Sequence, residues 1–155
     1  MLMYIGVKQV QAAPMTRGEY NAYRGWDVPA DEDPADDGYL VEYLDGGKSN
    51  HPKHKGYISW SPRSVFERAY RETTGLSFGL AIEAAKDGLR IARDGWNGKG
   101  MFVVYVEKDA WDVFMQGNVG HLPLRGFLAM KTADDKVVPW VASQTDILAD
   151  DWEVV

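Results

Sequence analysis

Apolar and polar positions change period several times along the chain, and each change marks an element. Tyr4-Ile5-Gly6-Val7-Lys8-Gln9-Val10 alternates and predicts a first strand. Thr16-Arg17-Gly18-Glu19 has the Thr-x-x-Glu form of a capping box, which predicts a short helix running to Tyr23 and stopped by Gly25. Acids crowd around Pro34 between Ala30 and Gly38, the pattern of a solvated loop. Tyr39-Leu40-Val41-Glu42-Tyr43 and Tyr57-Ile58-Ser59-Trp60 read as paired strands, and Ser61-Pro62 predicts a further helix with Pro in its first position and Val65, Phe66, Ala69 and Tyr70 on one face.

After the polar stretch Glu72-Thr73-Thr74-Gly75 the pattern becomes sharper. Ser77 is placed as an N-cap, and Phe78, Ala81, Ile82, Ala85 and Leu89 recur at helical spacing, with Gly88 fitting the left-handed position at the helix end. Leu89 to Arg93 changes period and predicts a strand. The loop Gly95-Trp96-Asn97-Gly98-Lys99-Gly100 then joins it to Met101-Phe102-Val103-Val104-Tyr105-Val106 as a hairpin. Residues 107–123, with Trp111, Val113, Phe114 and Met115 broken by Gly117, Gly120 and Pro123, read as a variable insertion. Arg125 to Lys131 and Val137 to Ala142 form a second hairpin about Ala133-Asp134-Asp135-Lys136, and Trp152 to Val155 an edge strand. The expected fold class is α+β: a C-terminal unit over 76–155, one main helix on an antiparallel β-sheet, preceded by a small α+β unit over 1–71.

With 155 residues, 45% of them hydrophobic and no recurring period, the chain suits one medium domain or two small units, and excludes barrel enzymes and solenoids. Cysteine is absent, which excludes disulfides, thiolate metal sites and a cysteine nucleophile, and fits a reducing compartment. The run Met1 to Ile5 is too short for a secretory or membrane-spanning segment. A net charge of −6 argues against long nucleic acid as partner, but a compact anion can still be held by a few N–H groups and one or two cations. Units this small bury a limited share of their surface, so self-association is expected.

Two segments carry candidate chemistry. Gly95 to Gly100 combines permissive backbone, a cation and an indole, the means of setting N–H donors near an anion while a base stacks on Trp96; a tight hairpin whose Trp covers the core uses the same residues. Ser143-Gln144-Thr145-Asp146 is dense in directional donors and acceptors able to read ribose and base edges, and is equally a helix-capping sequence. The histidines His51, His54 and His121 are not spaced as metal ligands, and His51-Pro52-Lys53-His54 reads as a solvated loop. The acids of 31–37 lack calcium-loop spacing, and no Walker loop, nucleophile elbow or zincin motif occurs, so no metal and no cofactor are expected.

Leu76 to Ala85, then Ile91-Ala92-Arg93-Asp94-Gly95-Trp96-Asn97-Gly98-Lys99-Gly100-Met101-Phe102, resemble the start of the second Thoeris anti-defence family of phage proteins; Phe127 to Lys131, Val137 to Trp140 and Ala142 to Trp152 resemble its C-terminal half in the same order. Residues 1–71 resemble an accessory segment of phage and prophage proteins through Pro14 to Tyr20 and Gly56 to Pro62. The resemblance implies a non-enzymatic sponge in the bacterial host cytoplasm that binds a cyclic ADP-ribose isomer, and in some members cyclic di- or trinucleotides, without cleaving it. It further implies homo-oligomers, dimers or tetramers, with pockets between subunits. On that basis Trp96 and Phe78 are expected to stack on adenine, Arg93 or Lys99 to meet the pyrophosphate, and Asn97, Ser143, Gln144, Thr145 and Asp146 to satisfy ribose and base-edge groups.

Two alternatives belong to other classes. Asp146, Asp150 and Asp151 with a divalent ion would make a small phosphodiesterase or ADP-ribose hydrolase, although no base or histidine partner accompanies them. Tyr39, Tyr43, Tyr57 and Trp60 would make residues 1–71 a protein-interaction module, and are equally ordinary core of a β-rich unit.

Overall fold

Residues 1–96, 98, 100–108 and 125–155 are described by the computed structural model, and the chain divides into two units, Met1–Tyr70 and Arg71–Val155. Eight strands and four helices among the described residues give an α+β fold with antiparallel sheets throughout. No helix among them is long and apolar enough to cross a membrane.

The first unit is a three-stranded meander, β1 (Val10–Pro14), β2 (Gly38–Tyr43) and β3 (Tyr57–Pro62), in the order β1-β2-β3. Helix α1 (Arg17–Arg24) opens on the expected capping box: Thr16 Oγ1 accepts from the Glu19 N–H, Glu19 Oε2 accepts from the Thr16 N–H, and Gly25 closes the helix at φ 70°. The first strand differs from expectation. It pairs from Val10↔Tyr43 to Pro14↔Tyr39 and shares only Val10 with the alternating run 4–10, whose Tyr4, Ile5 and Val7 are exposed. Alternation marks residues suited to a strand but does not choose a partner; here the register is set by α1, because Met15 N–H donates to Gly38 O, Arg17 N–H to Asp36 O and Gly18 N–H to Pro34 O. The acidic loop thus satisfies donors at the start of α1 through its carbonyls.

Helix α2 (Arg63–Ala69) also begins one residue later than expected. Pro62 ends β3 opposite Gly38 and is the N-cap rather than the first helical residue, with no side-chain capping bond. No α2 residue is fully buried; Phe66 stacks between Tyr39, at 4.2 Å, and Tyr70, at 4.9 Å. The core of the unit is Tyr20, Leu40 and Ile58, flanked by Met15, Tyr23 and Trp60.

The second unit carries a five-stranded antiparallel sheet in the order β7-β6-β5-β4-β8, built from β4 (Ile91–Arg93), β5 (Phe102–Val106), β6 (Phe127–Lys131), β7 (Val137–Pro139) and β8 (Trp152–Val154). Helix α3 (Phe78–Lys86) turns Ala81 and Ala85 onto it, and Ile91, Val103, Met130, Leu76 and Trp152 complete the core. Alanines on the inward stripe bring the helix axis close to the sheet, which leaves room for the one large side chain, Trp152. Ser77 is the N-cap by position, without a side-chain bond, and Gly88 takes φ 89° as expected. Strand β8 pairs with β4 on one side; on the other, Leu76 and Trp152 exchange N–H···O bonds of 2.7 and 3.2 Å, and Val154 N–H donates to Thr73 O. The polar stretch 72–75 is therefore part of this unit's edge. A short helix α4 (Gln144–Ile147) precedes β8, and the insertion expected over 107–123 lies, beyond residue 108, outside the described residues.

Candidate functional site

The period change at Ile91 puts Arg93 at the end of β4, opposite Trp152 of β8, where the chain leaves the sheet through Asp94 and Gly95. Arg93 does not reach into open space. Its Nε and Nη2 bind the two oxygens of Asp151 at 2.7 and 3.2 Å, and its Nη1 binds Asp146 Oδ1 at 3.0 Å. Asp151 also accepts the Gly95 N–H at 3.2 Å, so its carboxylate ties the first residues of the glycine-rich loop to the start of β8. A Cβ at Gly95 would come to 3.0 Å from that same carboxylate, so a side chain there would require the carboxylate to give way.

Asp146 is the other anchor. Its Oδ2 accepts the Ser143 N–H at 3.0 Å and hydroxyl at 2.6 Å, while Ser143 Oγ accepts the Asp146 N–H, a capping box that opens α4. Of the two readings of Ser143 and Asp146, capping is thus realised, and Asp146 does more than cap. Burial pushes its carboxyl upward, but the Ser143 hydroxyl and N–H, Arg93 and the Trp96 side chain outweigh burial and hold it below the usual range. Asp151 is held low chiefly by Arg93, with the Gly95 N–H adding to it against burial, and Arg93 is raised by the two carboxylates. The site holds two ionised aspartates on one guanidinium, a clamp with a net charge of −1.

Trp96 is held by packing: its ring meets Trp152 edge-on at 5.4 Å and Trp140 edge-on at 6.0 Å, and its side chain helps to keep the Asp146 carboxyl low. Phe78, from the first turn of α3, packs at 5.4 Å from Trp152 and 6.4 Å from Trp140, and belongs to the same aromatic group. Trp152 donates its indole N–H to Asp146 O at 2.9 Å, so α4 is fastened to the core as well as to the loop. Beside Trp96 opens a groove of about 420 Å³ whose wall includes Arg90, Arg93, Met101, Phe102 and Glu153. Arg90 lies over the Phe102 ring at 5.0 Å and makes no ion pair among the described residues.

The structure therefore brings Arg93, Trp96, Ser143 and Asp146 into one connected network, with Phe78 behind it. Gln144 and Thr145 are exposed on α4, Thr145 Oγ1 lying 2.8 Å from Ser143 Oγ. Asn97 and Lys99 lie outside the described residues. Sequence reasoning left Asp151, Trp140 and Arg90 out of the binding site; the signal for Asp151 was its place at the head of a strand returning beside Arg93, visible only once β4 and β8 are paired. Asp146 and Asp151 share Arg93, and no group of three or more His, Asp or Glu that could hold a metal gathers among the described residues.

The histidine loop of the first unit also departs from expectation. His54 is not solvated: its side chain is 15% exposed, with Nδ1 2.7 Å from Glu42 Oε2 and Nε2 2.9 Å from the Tyr23 hydroxyl. The loop folds inward because Asn50 brackets the Ile58 backbone through two bonds and Ser49 Oγ donates toward the carbonyls of His51 and His54. Of the four aromatics considered for docking, Tyr39 is stacked on Phe66 and donates to Glu67, and Trp60 lies under Arg17 and donates to Met15 O, while Tyr57 is 47% exposed.

A small α+β domain whose aromatic group and Asp-Arg-Asp clamp hold the start of a glycine-rich loop beside a groove matches a known class over residues 76–155 of its second unit. The chain belongs to the family described as Tad2-like, the Thoeris anti-defense 2-like domain, whose model matches residues 76–155. It is 44% identical over 86 residues to Thoeris anti-defense 2 of Bacillus phage SP01, a match covering 53% of this chain and 97% of that protein. The family is one of phage anti-defence directed at Thoeris.

Proposed function

We propose that the second unit counters Thoeris by capturing a cyclic ADP-ribose isomer and holding it intact inside the host cell. The observation that carries the reading is the anchored indole of Trp96 beside an open groove in a domain of this family. Base stacking on Trp96 contributes ~1–3 kcal/mol, and a platform already packed against Trp140 and Trp152 loses little freedom when the base arrives. Arg93, engaged by two carboxylates that would repel a phosphate, acts by positioning the loop; the pyrophosphate falls to Arg90 and Lys99. Gln144 and Thr145, both exposed on α4, take ribose hydroxyls.

Self-association as a dimer or tetramer completes the enclosure. It is supported by the exposed Val137, Val138 and Val141 near the β7 edge and Ile147 and Leu148 at the C-terminal end of α4, apolar surface that a second copy would cover. The test is to incubate the protein with the cyclic ADP-ribose isomer, remove free ligand by filtration, denature the complex and assay what is released. Intact ligand supports capture, hydrolysed product moves the domain to the enzyme class, and recovery only with cyclic di- or trinucleotides reassigns the ligand.

A further inference from the structure

The first unit holds a group of titratable side chains that capture by the second unit does not use. Glu42, on the central strand, has its carboxylate filled by donors: Oε1 accepts the Gly56 N–H at 2.8 Å and the Lys55 N–H at 2.9 Å, and Oε2 lies 2.7 Å from His54 Nδ1. Gly56 allows this approach, since a Cβ there would overlap the Tyr43 carbonyl oxygen. These donors, the Gly56 N–H first, hold Glu42 below its ordinary range, so it is an anion that can only accept. His54 Nδ1 therefore carries a proton, and in the neutral imidazole Nε2 is left as an acceptor. The group facing Nε2 at 2.9 Å is the hydroxyl of Tyr23, which must donate.

We propose that Tyr23 is a base-activated nucleophile and an acylation site, with His54 as its base and Glu42 as the positioning residue that fixes the imidazole tautomer. The order of groups, carboxylate to imidazole to hydroxyl, is the general arrangement for activating a weak nucleophile. The three come from β2, the 48–56 loop and the last turn of α1, so their alignment is a product of the tertiary fold and not of neighbouring sequence. The other titratable groups facing Tyr23 are His51, stacked on its ring at 4.5 Å, and Lys53, whose ammonium lies 5.7 Å from the ring centre and favours developing phenolate charge. The electrophile is an activated acyl group. The phenol oxygen bonds the carbonyl carbon, its proton passes to His54 Nε2, the bond from carbon to the leaving group breaks, and His54 returns the proton to that group.

The probe is N-acetylimidazole at neutral pH on the full chain, with acetylation of each tyrosine followed by mass spectrometry and Tyr4, 85% exposed, as the internal reference. General-base assistance predicts that Tyr23 is acetylated at least about tenfold faster than Tyr4 despite its partial burial. Glu42→Gln keeps a group able to accept from Gly56 and Lys55, but its amide donates to Nδ1 and forces the proton onto Nε2, so the Tyr23 rate should fall to that of Tyr4 or below while the fold is retained. His54→Gly should do the same, and free imidazole should restore the rate. Tyr23 reacting no faster than Tyr4 in the intact chain, or keeping its rate in both variants, would overturn the proposal.

Discussion

Both units start a helix with the same device, and only one of the two reaches a site. Glu19 Oε2 closes the Thr16 box, and no further partner of that carboxylate occurs among the described residues. Asp146 Oδ2 closes the Ser143 box, while its Oδ1 binds Arg93. A capping residue has lone pairs to spare, and whether they are used depends on what the fold places beside it. In the first unit the helix end faces the carbonyls of the acidic loop, already saturated by backbone donors; in the second it faces the strand end from which the glycine-rich loop departs.

The sharpest break in that comparison is Trp152→Ala. Trp152 is fully buried, packs against Phe78, Trp96 and Trp140, and ties α4 to the core through Asp146 O. Removing so large a buried ring costs ~3–5 kcal/mol. Hydrogen exchange should show amide protection lost across β4 and β5 but retained across β2 and β3. Equal loss in both sheets would mean that the two units do not unfold separately.

Trp96→Ala comes next and reads capture rather than folding. Loss of base stacking, ~1–3 kcal/mol, corresponds to roughly 5- to 150-fold weaker binding in calorimetry. An unchanged affinity would take Trp96 out of the ligand contact and leave it only the role of covering Trp152.

Those two tryptophans also mark what could be read from the sequence. The α3 stripe, the turns at Gly25 and Gly88, the hairpins and the Thr16 capping box follow from local rules, since each depends on residues within a few positions, whereas capping at Ser143 was one of two readings that its residues left open. The edge strand at Trp152 was legible as a strand, but its partner was not: pairing Arg93 with Trp152 joins residues far apart in the chain, and that pairing makes Asp151 part of the loop's support. The same limit applies to His54, whose neighbours in sequence are polar and whose partners, Glu42 and Tyr23, come from other elements. The misplacement of β1 has the same cause, because α1 and the acidic loop, not alternation, decide its register.

Acid tests the boxes with a smaller effect. The carboxyls of Asp146, Asp151, Glu19 and Glu42 are all held below their ordinary values. Each therefore contributes stability that is complete above its unfolded value, about 3.9 for Asp and 4.3 for Glu, and is lost as pH falls through the lower folded value. Thermal midpoints should be insensitive to these groups above about pH 5 and should drop below about pH 4. Asp146→Asn should lower the midpoint at neutral pH and flatten the acid limb of the second unit. A limb as steep in the variant as in the parent would place the acid loss elsewhere.

The finest distinction comes from deleting the two capping hydroxyls. Thr16→Ala and Ser143→Ala each remove one acceptor for a helix N–H, a loss of ~1 kcal/mol in stability. If the first box only caps, Thr16→Ala should lower the denaturant midpoint of its unit and leave ligand capture unchanged. Ser143→Ala also withdraws the 2.6 Å hydroxyl bond to Asp146 Oδ2, so Asp146 is free to turn, and Arg93, at the start of the loop that carries Trp96, loses a fixed partner. Capture should weaken by a few-fold beyond what the stability change accounts for, mostly through faster release, because a loosened platform must be ordered again by the ligand. Equal behaviour of the two variants in a release assay would show that Asp146 keeps its place through Arg93 alone, and that the second box, like the first, serves only its helix.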